Sequence, residues 1–325
     1  MRFLHPERDS LLELALDDVF LVPGRYDGTS RLEVDLTPAD FAGGSHPVIS
    51  ANMNAVTGKR MAETMARFGG LGVLPQDMAL DTVERIVNHV KQAPLRYDTA
   101  LVVTPRATLR DVQGIIRKRA HGMVLVADHD NRLLGLITQA DLREHDQYTP
   151  AERLMSRTLV TIGLQTSHRD AFMLMEERRV KAAPVVDADN RVAGVLTRDD
   201  AIRFELLRPS LDRNGKLMVA AAVGISTRAP DYASSLLDMG VDALVIDTAH
   251  GHQRRMLETI ARVREMVAAR DSRVPLIAGN VCTAEGTRQL IEAGADVVKV
   301  NVGPGAMCTT RMQTGVGRPS FTSVR

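Results

Sequence analysis

A chain of 325 residues that is 44% hydrophobic and 25% charged has the length of about two domains and enough apolar content for ordinary cores, which excludes disorder and collagen-like repeats. Its 41 basic and 40 acidic residues leave a formal charge of +1, so no global field holds a polyanion, no nucleic-acid partner is expected, and any anion site must be local. Cys282 and Cys308 are too few for a disulfide framework, MRFLHPERDS puts charges where a signal peptide needs an apolar run, and no stretch nears the roughly 20 apolar residues of a membrane span; a cytoplasmic protein without a membrane partner is expected.

Short apolar, β-branched runs follow one another at Pro47–Ser50, Gly70–Leu74, Met218–Val223, Ala243–Asp247, Pro275–Gly279 and Val297–Val300. The segments after most of them have helical spacing, as in Arg254–Ala269 and Ala284–Ala293. Strands alternating with helices predict an α/β fold with a parallel sheet. Polar or glycine-rich C-terminal ends fit a (β/α)8 TIM barrel, whose chemistry sits at those ends. Six strands are two short of eight, and an open sheet would expose unpaired edges, so the C-terminal strands of the barrel are expected to be absent from this chain.

Between the second and third of these runs lies an internal repeat. Asp128-His-Asp-Asn-Arg-Leu-Leu-Gly-Leu-Ile-Thr-Gln-Ala-Asp141 returns 59 residues later as Asp187-Ala-Asp-Asn-Arg-Val-Ala-Gly-Val-Leu-Thr-Arg-Asp-Asp200, with seven identities. Each copy follows an apolar run (Val124–Ala127, Pro184–Val186) and predicts strand, Asp-Asn turn, strand, and a helix opening after Thr138 or Thr197. The pair resembles a CBS tandem (a Bateman domain), with copies over Leu101–Leu142 and Leu159–Phe204. That resemblance implies adenosine or guanosine nucleotides, ATP or GTP, bound with Asp141 and Asp200 on ribose and Thr138 and Thr197 on phosphate. The same residue types also cap helices. The expected domains are 1–94 and 209–325 for the barrel and 95–208 for the repeat.

The segment Val300-Asn-Val-Gly303-Pro-Gly305-Ala-Met-Cys308-Thr309-Thr310-Arg-Met-Gln-Thr-Gly315-Val-Gly317 follows a strand and so occupies a loop on the expected catalytic face. A thiol there is a strong nucleophile toward an electrophilic ring carbon once donors lower its pKa. This segment resembles the catalytic cysteine loop of the IMP dehydrogenase/GMP reductase family. Leu16-Asp-Asp-Val-Phe-Leu-Val-Pro-Gly24 is similar to that family's N-terminal signature, Ser50-Ala-Asn-Met53 to the loop after its first strand, and Asp247-Thr-Ala-His-Gly-His252 and Ala278-Gly-Asn280-Val to its cofactor-side loops.

The resemblance implies Cys308 as the nucleophile attacking purine C2, with Thr310 as its polar assistant. It implies Met53, Asn280 and Gly305 as substrate contacts, and Asp247, Thr248 and Ala249 as cofactor contacts, Asp247 holding the nicotinamide ribose. Backbone carbonyls of Gly303, Gly305 and Cys308 would hold a monovalent cation, K+. Cys282 reads as packing, and His250 with His252 lacks a third metal ligand. Two positions depart from the family: Ala306 stands where many relatives have a phosphate-binding serine, and Asn301 replaces a usual glycine at the nicotinamide pocket.

Ala51-Asn52-Met53 is more similar to the reductase form of its loop, whereas a CBS tandem is commoner in dehydrogenases. The favoured expectation is NADPH-dependent GMP reductase, converting GMP to IMP and ammonia in purine salvage. The alternatives are IMP dehydrogenase with NAD, and a non-catalytic nucleotide sensor. The family's barrels imply a homotetramer or homo-octamer.

Overall fold

The computed structural model describes residues 12–38, 44–270, 273–305 and 309–325. Its chain divides into two compact units: one comprises Met1–Lys91 with Ser210–Arg325, and the other is the intervening Gln92–Pro209. In chain order the strands are β1 (Ile49–Ser50), β2 (Leu71–Leu74), β3 (Val102–Val103), β4 (Met123–Ala127), β5 (Leu133–Thr138), β6 (Ile162–Gly163), β7 (Ala182–Val186), β8 (Val192–Thr197), β9 (Ala220–Val223), β10 (Ala243–Asp247), β11 (Leu276–Val281) and β12 (Val297–Val300).

In the first unit, β1, β2, β9, β10, β11 and β12 pair in that order, all in parallel. A parallel sheet crossed by helices is covered on both faces, so its strands are near-continuous apolar runs. Every residue of β2 and β9 is buried. Leu71, Val73, Ala220, Ala222, Val245 and Ile277 form one core cluster. Leu74, Ala221, Val223, Leu244 and Ile246, which alternate with them, are buried on the opposite face. This is an α/β fold with the parallel strand–helix alternation of a TIM barrel. Pro47 and Pro275 fall just outside the strands because proline has no N–H for the ladder.

At the N-terminal edge of this sheet, Lys91 Nζ donates to Asp212 at 2.7 Å and to both oxygens of Asp242 at 2.8 and 2.7 Å. Asp242 also accepts from the Val219 N–H. Lys91 thereby joins the end of helix Leu80–Gln92 to the segment that re-enters the unit and to the approaches of β9 and β10. Burial holds the Asp242 carboxyl above its usual range, although the hydrogen bond and charge of Lys91 oppose the shift.

In the second unit, β3-β4-β5 and β6-β7-β8 form two three-stranded sheets. Met123 pairs with Thr138 across the first hairpin and Ala182 with Thr197 across the second, the same register in both copies. In each turn an aspartate folds back on the chain: Asp128 Oδ1 accepts from Asp130 and Arg132 N–H, and Asp187 Oδ1 from Asp189 and Arg191 N–H. Asn131 and Asn190 then take left-handed φ values of 64° and 61°, which asparagine tolerates. Their amides cross to the other copy, Asn131 to the Val192 carbonyl and Asn190 to the Leu133 carbonyl.

The glycine common to both copies has a packing reason. A Cβ on Gly135 would lie 2.6 Å from Met155 Sδ, and one on Gly194 would lie 2.2 Å from the Tyr97 ring. The two copies also share a core in which Met123, Leu125 and Leu133 meet Val186 and Val195. One expectation needs correction. After Thr197 a helix runs Arg198–Leu206, but after Thr138 there is only a 3-10 turn, Ala140–Leu142, because Arg143 is already extended at φ -83° and ψ 145° and Glu144 follows at φ 63°.

Candidate active site

The C-terminal ends of the parallel strands gather most of the candidate residues. β1 ends at Ser50, and Thr57, fully buried, donates its hydroxyl to the Ala51 carbonyl at 2.6 Å while lying 2.9 Å from the Ser50 hydroxyl. This closes the loop and directs Asn52 across the sheet end, leaving Met53 exposed. Asn52 Nδ2 donates to Asp247 Oδ2 at 3.0 Å. Lys299, from β12, donates to Asp247 Oδ1 at 2.7 Å and to Asn52 Oδ1 at 3.0 Å.

Three strands thus contribute to one closed triangle of carboxylate, amide and ammonium. Both oxygens of Asp247 are oriented, and its side chain keeps 21% exposure. Each carboxylate oxygen has a second lone pair, so Asp247 can still accept from a ligand's hydroxyls. The sequence marks Asn52 only as part of the reductase-like Ala51-Asn52-Met53 loop and does not mark Lys299 as a site residue. A signal for Lys299 does exist: a charged residue inside the apolar run Val-Val-Lys-Val.

The loops after β10 and β11 interlock through backbone bonds. Thr248 N–H donates to the Gly279 carbonyl, Asn280 N–H to Thr248, and Gly251 N–H to Asn280. Ala249 remains exposed on the outer part of its loop. Asn280 Nδ2 donates to the Asn301 carbonyl at 2.8 Å, linking the ends of β11 and β12. The oxygens Asn280 Oδ1 and Asn301 Oδ1 are buried and have no hydrogen-bond partner, the two such side-chain atoms among the described residues. An unmet buried acceptor costs about 1–3 kcal/mol.

Beyond Asn301, Gly303 has φ 58°, and the Val302 carbonyl accepts from the Arg318 N–H at 2.8 Å. The Arg318 guanidinium donates to the Cys282 carbonyl and pairs with Glu13, whose carboxyl it holds below its usual range. Gly305 precedes the part of the loop that contains Ala306 and Cys308, which lie outside the described residues, and Thr310 is the second residue of the helix Thr309–Thr314. His252 bonds to Gln289, and its ring centre is 6.4 Å from that of His250. On the same face an open cavity of about 540 Å³ lies at the ends of β2 and β9, lined by Gln76, Gly224, Ser226, Arg228 and Tyr232 among others.

The remaining candidates belong to the second unit. Thr138 donates both its N–H and its hydroxyl to Asp141 Oδ2 at 2.7 Å, so this carboxylate caps the 3-10 turn. Thr197 accepts from the Asp200 N–H at the start of helix Arg198–Leu206, while Asp200 pairs with Arg203 at 2.9 Å. Both aspartates are thus engaged locally.

Residues 13–325 match the family described as the IMP dehydrogenase / GMP reductase domain. The chain belongs to this family. A GMP reductase of Mycobacterium tuberculosis is 46% identical over 326 residues, covering all of this chain and 66% of the relative. An inosine-5'-monophosphate dehydrogenase of Bacillus subtilis is 38% identical over 320 residues, covering 96% of this chain and 64% of the relative. The chain therefore spans just under two thirds of the length of these family members. A crystal structure of a Trypanosoma brucei GMP reductase in complex with guanosine 5'-monophosphate superposes with a TM-score of 0.58 at 32% identity, over 98% of this chain and 69% of that one. A crystal structure of GMP reductase from that organism in complex with guanosine 5'-triphosphate gives 0.58 at 32% identity, over 98% and 78%. Among the described residues, no helix is long and apolar enough to cross a membrane.

Proposed function

We propose that this family member is a GMP reductase, converting GMP and NADPH to IMP, ammonia and NADP+. The observation that carries this reading is the Asn52–Asp247–Lys299 triangle. It ties the reductase-like Ala51-Asn52-Met53 loop to the carboxylate assigned to the cofactor. The 46% identity to a reductase over the whole chain, against 38% to a dehydrogenase, supports it.

In this reading Cys308 attacks C2 of GMP, the C2–N bond breaks with release of ammonia, and the purine stays joined to sulfur. Thr310 assists the proton transfers at the departing amino group. Asp247 accepts hydrogen bonds from the ribose of the nicotinamide cofactor, with Thr248 and Ala249 along the same loop, and the pocket residues fit this group because the oriented carboxylate retains exposure. When bound, the reduced nicotinamide supplies the hydride that replaces sulfur at C2. Met53, Asn280 and Gly305 contact the nucleotide, and carbonyls of Gly303, Gly305 and Cys308 hold K+.

The segment 95–208 is read as a CBS pair that binds ATP or GTP between its copies and changes the activity or assembly of a tetramer or octamer. Its duplicated register and shared core support this. The second reading, IMP dehydrogenase with NAD, is favoured by the inserted repeat.

Ultraviolet monitoring of the purified protein decides between them. NADPH oxidation with GMP, with ammonia equal to IMP, is expected; NAD reduction with IMP and no ammonia from GMP would overturn the reductase. Cys308→Ser should keep nucleotide binding and lose turnover by roughly a thousandfold or more. Turnover within tenfold of the parent would remove Cys308 from the mechanism.

A further inference from the structure

We infer that a cavity in the second unit, separate from the Thr–Asp corners, takes a flat-ringed organic anion, an aryl or heteroaryl carboxylate or phosphate, with its head group on Arg96. The cavity has a volume of about 330 Å³, at the small end of ligand pockets. It lies between residues 95–97, the turn 163–166 at the end of β6, and the side chains of Val185 in β7 and Leu196 in β8. Its lining belongs wholly to Gln92–Pro209, and Thr138, Asp141, Thr197 and Asp200 are not part of it.

The floor is apolar and closed, since Ile162, Val185 and Leu196 are all buried. One wall is the ring of Tyr97, seated on Gly194 too closely for a Cβ to fit between them. A flat ring laid against this floor and wall buries apolar surface.

The rim offers donors and no acid. Arg96 is the charged residue of the lining, and His168 holds it at both ends: Arg96 Nη2 donates to His168 Nδ1 at 3.1 Å, and His168 Nε2 donates to the Arg96 carbonyl at 3.1 Å. His168 is only 5% exposed and stays neutral in this pairing, so it anchors the guanidinium without cancelling its charge. The nearest carboxylate, Glu205, lies 3.8 Å from His168 Nδ1, is half-exposed and is not part of the lining. Among the described residues, the Tyr97 hydroxyl, the Gln165 amide and the Thr166 hydroxyl make no hydrogen bond, and Arg96 has His168 as its one side-chain partner. A fixed guanidinium fork with no carboxylate on it matches the oxygens of a carboxylate or phosphate. The donors at the Thr–Asp corners are already used; these are not.

The test is a fluorine NMR titration of the full chain with para-fluorobenzoate, para-fluorophenyl phosphate and the uncharged para-fluorobenzamide. One of the anions should bind at least about tenfold more tightly than the amide, the worth of a hydrogen bond to a charged group, and the tighter one assigns the head group. Arg96→Gln should erase that preference, and Arg96→Lys, which keeps the charge but not the fork, should recover part of it. Thr166→Val leaves the Arg96–His168 contacts in place and should weaken the anion by about two- to fivefold; it carries the test if thermal unfolding shows that Arg96→Gln does not fold. An amide that binds as tightly as both anions, anion affinities unchanged in Arg96→Gln and Thr166→Val, or no binding of either anion would overturn the inference. The GMP reductase reading stands or falls separately, because its residues belong to the other unit.

Discussion

The Thr–Asp corners of the repeat and the asparagines at the ends of β11 and β12 treat their hydrogen bonds in opposite ways. Thr138 with Asp141 and Thr197 with Asp200 close on themselves as caps, and Asp200 takes Arg203 in addition. Asn280 and Asn301 leave two buried oxygens unmet. A nucleotide bound at the corners would have to compete with contacts already made, whereas the two asparagine oxygens hold no hydrogen bond. The difference teaches that residue type alone does not mark a ligand contact; what counts is whether the fold has already satisfied it.

The largest effect expected on this comparison is at Lys299. Lys299→Met removes the charged partner of Asp247 and one of the donors to Asn52, and should raise KM for NADPH by roughly ten- to a hundredfold, the worth of a charge-assisted hydrogen bond. An unchanged KM would mean that Asp247 is aimed by something other than the triangle. Lys299→Arg, which keeps the charge, should recover part of the loss.

The double variant Asp141→Ala with Asp200→Ala tests the other side. It should abolish the response of activity to ATP or GTP, leave basal turnover within about twofold, and remove about 1 kcal/mol at the Asp141 corner alone, because the Thr197 hydroxyl caps the other through the Asp200 N–H, which alanine keeps. If steady-state assays find a nucleotide response equal to the parent's, the corners are caps alone and the contrast between the two regions becomes absolute.

The smallest effect is one of pH. Burial holds His168 and His121 below the ordinary histidine range, against the opposing Arg96 carbonyl in one case and Asp98 in the other. His168 also stacks on Phe204, with ring centres 5.1 Å apart. The unfolded chain takes up protons near pH 6.5 that the folded unit declines. Stability is therefore full above about pH 6.5 and is lost as pH falls toward the lowered folded values. Tm should drop by a few degrees between pH 7 and pH 5. The double variant His121→Gln with His168→Gln should flatten that slope, and a slope equal to the parent's would remove these histidines as its cause.

Much of this molecule was legible in the one-dimensional pattern. The apolar runs ending in polar or glycine-rich loops predicted parallel strands, and Ala243–Asp247, Val297–Val300 and helix Arg254–Ala269 match the observed bounds. The repeat predicted two like hairpins. Less legible was the first copy's missing helix, because nothing local in Ala140–Glu144 announces the extended Arg143 and the left-handed Glu144 that follow the 3-10 turn. Lys299 is faint in the sequence because one lysine in a strand is only a small break in an apolar run.

By itself, the sequence determined the family, the strand–helix alternation and the duplication, since periodicity and turn chemistry act over a few residues and appear in order along the chain. Only the tertiary structure decided which polar groups meet. Asn52, Asp247 and Lys299 are separated by 195 and 52 residues and become neighbours because parallel strands bring their C-terminal ends to one edge of the sheet. The same holds for the unmet oxygens of Asn280 and Asn301. Hydrogen-bond satisfaction depends on every group that packs nearby, and no local run of residues contains that information.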